Sequence, residues 1–137
     1  MRKLASVALF LFVSACADNL PLAPLSDAAG TYTLRSVDGS PLPFVYLEAV
    51  GYKDEIMSGT VALSADGRFR DETLYRRTRD GVVLLSTVAL EGTWSLRGDV
   101  VTFSPEARAT PGRVYTMRRG GTRLTLVELG LTSIFER

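Results

Sequence analysis

The sequence predicts an all-β domain, an antiparallel meander of eight or nine strands that closes into a small barrel. Three observations carry that expectation. From Gly30 onward, short runs alternate apolar and polar residues with the period of two expected of half-buried strands. Asp38-Gly39, Asp66-Gly67, Asp80-Gly81, Gly98-Asp99 and Gly120-Gly121 separate the runs and supply the positive-φ residues that tight turns need. No segment sustains a helical period over the length a helix requires. So many short strands in series avoid exposed edges by closing on themselves.

The elements follow in chain order. Arg2-Lys3 and the apolar run Leu4 to Ala15 have the layout of a targeting segment, and the run is too short for a membrane-spanning helix of about 20 residues. Ala17 to Ala29 holds Pro21 and Pro24 without strand-like alternation, as expected of a flexible, semi-extended linker. Thr31 to Val37 alternates Tyr32 and Leu34 against Thr31, Thr33 and Arg35, and Pro41 and Pro43 mark an irregular stretch beyond it. Residues 45–57 are ambiguous between a strand and one helical turn, with Gly51 a stop for either. Strands are expected at Gly59–Ser64, Arg68–Arg77, Val82–Leu90, Thr93–Leu96, Val100–Ser104, Arg113–Arg118, Thr122–Leu129 and Thr132–Glu136. Gly30-Thr31-Tyr32-Thr33-Leu34-Arg35 is echoed by Gly92-Thr93-Trp94-Ser95-Leu96-Arg97, and Gly59-Thr60 by Gly121-Thr122. Two echoes at one offset point to two similar halves.

Composition excludes several chemistries. The 137 residues carry 16 Lys+Arg, 15 Asp+Glu, one Cys and no His, with 46% hydrophobic residues. That is one domain's worth of chain with enough apolar surface for a core. Without His there is no imidazole relay or imidazole-bound zinc, and one Cys forms neither an internal disulfide nor a thiolate cage. The near-neutral net charge of +1 does not indicate a nucleic-acid binder. No glycine-rich loop precedes a helix to cradle phosphate, and Ser and Asp residues have no base beside them. A non-catalytic role, without cofactor or metal, is the expectation.

Val13-Ser14-Ala15-Cys16 resembles the lipobox of bacterial lipoproteins. The resemblance implies a signal peptide over residues 1–15, an acylated Cys16 starting a linker through residue 29, and a tethered domain over residues 30–137. Ala17, where an Asp tends to retain such proteins in the inner membrane, implies the outer membrane, facing periplasm or exterior.

Gly30-Thr31-Tyr32-Thr33-Leu34, Asp38-Gly39-Ser40-Pro41-Leu42-Pro43, Leu63-Ser64-Ala65-Asp66-Gly67-Arg68-Phe69, Gly92-Thr93-Trp94-Ser95-Leu96 and Ile134-Phe135-Glu136-Arg137 together resemble the small lipocalin-like domains of bacterial lipoproteins. The resemblance implies an eight-stranded antiparallel barrel that binds a small apolar or amphipathic molecule. The opening block is also similar to META-type envelope domains, without their Gly-Cys-Asn turn.

Alternation nominates Tyr32, Leu34, Val61, Leu63, Phe69, Tyr75, Trp94, Leu96, Val101, Phe103, Leu124 and Leu126 as inward-facing. Tyr32, Leu34, Phe69, Tyr75, Trp94 and Phe103 are the ligand-lining candidates, each open to the alternative of ordinary core. Asp71 and Thr73 share a face with Phe69 and Tyr75. If that face is interior, Asp71 needs a cationic or hydrogen-bonding partner; the alternative is a strand leaving the barrel at its rim. Arg70, Arg76, Arg77, Arg118 and Arg119 form a candidate basic surface. It would meet phosphates or an acidic envelope partner, or else form a solvated face balanced by Asp71, Glu72 and Asp80. Asp54-Glu55 is a poor catalytic carboxylate pair, because strand neighbours point to opposite faces. The alternative to ligand binding is a filled barrel that docks on another envelope protein through its rim or basic surface.

Overall fold

A computed structural model describes residues 24–106 and 113–137. The expected signal peptide, Cys16 and the first part of the linker lie outside the described residues. Ten strands follow in order: β1 (Gly30–Val37), β2 (Ser40–Pro41), β3 (Phe44–Ala49), β4 (Tyr52–Leu63), β5 (Arg68–Arg79), β6 (Val82–Arg97), β7 (Val100–Pro105), β8 (Tyr115–Gly120), β9 (Arg123–Glu128) and β10 (Leu131–Glu136). All pairings are antiparallel, and β1 pairs with both β10 and β4. β1 and β4 to β10 therefore form a closed, eight-stranded ring, the lipocalin-like meander expected, with β2 and β3 attached outside it.

Three expectations are settled or corrected here. The ambiguous residues 45–57 form β3 and the start of β4, joined through Gly51 at φ 72°. Val82–Leu90 and Thr93–Leu96 are one 16-residue strand, β6. The strand passes unbroken through Gly92 because that position is a close approach rather than a turn. A Cβ there would collide with the Ser104 carbonyl oxygen and come within 2.8 Å of Pro105 Cα. The two echoes do not mark equivalent halves: Gly59 lies inside β4, whereas Gly121 sits in the β8–β9 turn at φ 63°.

One end of the ring is filled and plugged. Ten of the twelve inward-facing candidates are buried, all but Tyr75 and Leu126, and Ala28, Val37, Met117 and Phe135 join them. Phe69 and Phe103 pack edge to face with centroids 5.0 Å apart. A short 3-10 turn, Leu25–Asp27, lies across this end, so the last residues of the expected linker belong to the domain. Tyr32 donates its hydroxyl to the Ala28 carbonyl at 2.8 Å, and Arg119 and Arg137 donate to the Asp27 carbonyl at 2.8 and 3.1 Å. Trp94 Nε1 donates to the Ser64 carbonyl at 3.0 Å, tying the floor turn to the wall.

Candidate ligand-binding mouth

The opposite end is built by strands that outrun the ring. β1 pairs with β4 only from Gly30↔Leu63 to Thr33↔Thr60, so the first half of β4 continues past the ring with β3, β5 and β6. These four strands stand over the mouth as a canopy. Period-two alternation aims one set of side chains inward in rows: Ile56, Tyr75 and Ser86 in one, Asp54, Arg77 and Leu84 in the next. Tyr46, at a register shift in β3, meets Tyr75 edge-on at 6.0 Å. With Val88, and with Leu129 and Leu131 from the β9–β10 hairpin opposite, these side chains line a cavity of about 400 Å³.

The canopy is held by charge pairing on both its faces. Arg77 makes a two-pronged bond to Asp54 at 2.9 and 3.0 Å, and the Tyr52 hydroxyl donates to the same carboxylate at 2.5 Å. On the outer face Arg76 grips Glu55 at 2.6 and 2.8 Å, joined by Lys53 at 3.0 Å. Asp54 and Glu55 thus point to opposite faces, as strand neighbours must. Their own arginines cover both acidic residues, each of which is only 3% exposed. The hydrogen bonds from Arg77 to Asp54 and from Arg76 to Glu55 hold each carboxyl at about 2, well below its ordinary value.

Below the canopy, Asp71 settles the question of its face. The side chain lies inside the barrel and accepts a hydrogen bond from the Tyr115 hydroxyl at 2.8 Å. It is therefore not one of the acids that balance the surface arginines. Burial pushes its carboxyl up, only partly offset by the Tyr115 bond, and the Glu128 carboxylate pushes in the same direction. The Tyr115 ring stacks on Phe103 with centroids 4.7 Å apart and planes 5° from parallel. Burial, then the Asp71 charge, raises the Tyr115 phenol far above its usual range.

The wall is open beside this pair. β8 and β9 pair only from Arg118↔Thr125 to Gly120↔Arg123, and toward the mouth they part. Arg113, Tyr115, Leu126, Glu128 and Leu129 line the resulting cleft of about 360 Å³. Leu129 borders both cleft and mouth cavity.

Of the six ligand-lining candidates, Tyr75 alone lines the mouth cavity; Tyr32, Leu34, Phe69, Trp94 and Phe103 are packed in the floor cluster. The five arginines are not grouped on one surface and each has a partner: Arg70 binds Glu72 and Glu91, Arg76 Glu55, Arg77 Asp54, Arg118 Asp99, and Arg119 the Asp27 carbonyl. Sequence reasoning missed Tyr46, Ile56, Leu84, Val88, Leu129 and Leu131 as cavity residues. Val82-Val83-Leu84-Leu85 carried a signal: four consecutive apolar residues leave no polar face for water. Among the described residues, the twelve large hydrophobic residues most exposed to solvent, including Tyr46, Leu47, Val50, Leu84, Leu85 and Leu129, all lie in the mouth half.

Among the described residues, no group of His, Cys, Asp and Glu is placed to hold a metal ion, and no helix is long and apolar enough to cross a membrane. No protein-family model matches this chain, and no curated protein or solved structure matches it.

Proposed function

We propose that this chain is a lipid-anchored bacterial envelope lipoprotein whose barrel binds a small apolar or amphipathic molecule without transforming it. The observation that carries the binding reading is the mouth cavity of about 400 Å³, walled largely by apolar side chains and lined also by Tyr46, Tyr75 and the Asp54–Arg77 pair. A cavity of that size suits one small ligand. The floor below it is filled, so the ligand occupies the mouth rather than the barrel's full depth. Native mass spectrometry of the full chain, before and after denaturation, tests the reading. A small co-purifying mass, or saturable binding of an apolar fluorescent dye, is expected; a clean apo mass with no dye binding would overturn it.

The anchor rests on the resemblance of Val13-Ser14-Ala15-Cys16 to a lipobox, and placement in the outer membrane, facing periplasm or exterior, on Ala17. Cys16→Ser is expected to release the protein from the membrane fraction and to abolish acyl labelling. A second reading, docking on another envelope protein, is favoured by one observation: Val82 to Val88 of β6 expose apolar side chains on both faces of the strand. Crosslinking in cells from a residue introduced at Leu85 separates the two readings, since Leu85 lies on the canopy's outer face.

A further inference from the structure

Asp71 stands apart from the other well-covered carboxylates of the molecule. Asp54 and Glu55 each have a two-pronged guanidinium. Asp71 has one phenol, donated by Tyr115 to Oδ2, and among the described residues no arginine or lysine contacts it or acts on it electrostatically. Among the described residues, the charged and titratable groups around it are Tyr75 on its own strand, Tyr115 on β8 and Glu128 on β9. All three are neutral or negative. A carboxylate inside a protein with no cation to match it is costly, and a ligand that brings the cation removes that cost on binding.

Position makes such a ligand reachable. Asp71 lies two inward-facing places below Tyr75, which lines the mouth cavity, and its partner Tyr115 lines the β8–β9 cleft. The cavities share Leu129; Asp71 itself lines neither, and the Tyr115 phenol that holds it borders the cleft, so a ligand head reaches the carboxylate by displacing that phenol. The apolar wall of Ile56, Leu84, Val88 and Leu131 lies above it.

We infer that the site selects an amphipathic cation: an alkyl ammonium whose head donates to Asp71 and whose apolar tail lies along the canopy. This assignment of ligand class rests on the mouth-cavity reading above. The opposite polarity, an anionic head, would meet Arg113, which lines the cleft, whereas Arg77 in the mouth cavity is already held by Asp54.

Calorimetric titration of the full chain at pH 8 with octylammonium, octanol and octanoate tests the assignment at constant tail length. Octylammonium is expected to bind about tenfold or more tighter than octanol, the gain of one charge-assisted hydrogen bond, with octanoate weakest. Asp71→Asn is expected to erase that preference, octylammonium and octanol binding within about twofold of each other, with the variant's urea-unfolding transition showing that it is folded. Equal binding of ammonium and alcohol, or tightest binding of octanoate, would overturn the cationic assignment and leave the cavity reading standing. If none of the three chains binds while the protein is folded, the cavity reading falls and the assignment falls with it.

Discussion

The floor and the mouth of this barrel share the same strands and yet differ in how each uses its apolar residues. At the floor, alternation is strict: in β6, Gly92, Trp94 and Leu96 are buried and Thr93, Ser95 and Arg97 exposed. Fourteen residues there form one buried cluster. Toward the mouth the same strand carries Val82, Val83, Leu84 and Leu85, each more than half exposed. The floor's apolar surface holds the fold together, whereas the mouth's is left for something that the chain alone does not provide. Where the floor has a core, the canopy has arginine–carboxylate pairs bridging β4 and β5.

The comparison breaks first if floor residues prove dispensable. Phe103→Ala, at a fully buried site in contact with Phe69 and Tyr115, is expected to cost about 3–5 kcal/mol in urea unfolding. A loss below about 1 kcal/mol would mean that the floor is not a close-packed core. Gly92→Ala places a methyl against the β7 backbone, which cannot turn away as a side chain can, and is expected to cost roughly 1–3 kcal/mol.

Acid sharpens the contrast. Asp54 and Glu55 titrate at about 2 in the folded protein, against ordinary values of 3.8 and 4.5. Their contribution to stability is present above about 4.5 and is lost as pH falls toward about 2. Asp71 has the opposite sign, because its carboxyl is raised: its contribution is present at low pH and is lost as pH rises through that elevated value. Asp71→Asn is therefore expected to flatten the fall of melting temperature on the alkaline side of the profile, and an unchanged profile would contradict its placement in the interior.

The smallest stability effects belong to the canopy. Leu84→Ser and Leu85→Ser, at positions 60% and 58% exposed, are each expected to change stability by no more than about 0.5 kcal/mol. They separate in dye binding, where Leu84→Ser weakens affinity because it lines the cavity and Leu85→Ser does not. The reverse pattern would favour protein docking over ligand binding.

The floor was legible in the sequence because burial on one face writes itself as alternation, and Tyr32, Leu34, Trp94 and Phe103 were found by that period alone. The turns were legible through Gly81, Gly98 and Gly121, which all adopt positive φ. The mouth was hardly legible. Its cavity gathers Tyr46 from β3, Val88 from β6 and Leu129 from the β9–β10 turn, brought together by register shifts and by strands outrunning the ring. Neither leaves a periodic trace. Asp71 was visible as a question, and only the β8 position of Tyr115, 44 residues away, supplied its partner.

The β1 seam governs how the molecule is assembled in time. Strands β5 and β6 meet across Asp80-Gly81, so they can zip from a local turn, whereas Leu34 reaches Phe135 only by closing a loop of roughly 100 residues. Local hairpins therefore form early and the long-range seam forms late. Until it does, the chain is an open sheet with two bare edges, and Tyr32 and Leu34 have no neighbours on the β10 side. The last contact made in folding is thus the one that turns a string of hairpins into a vessel.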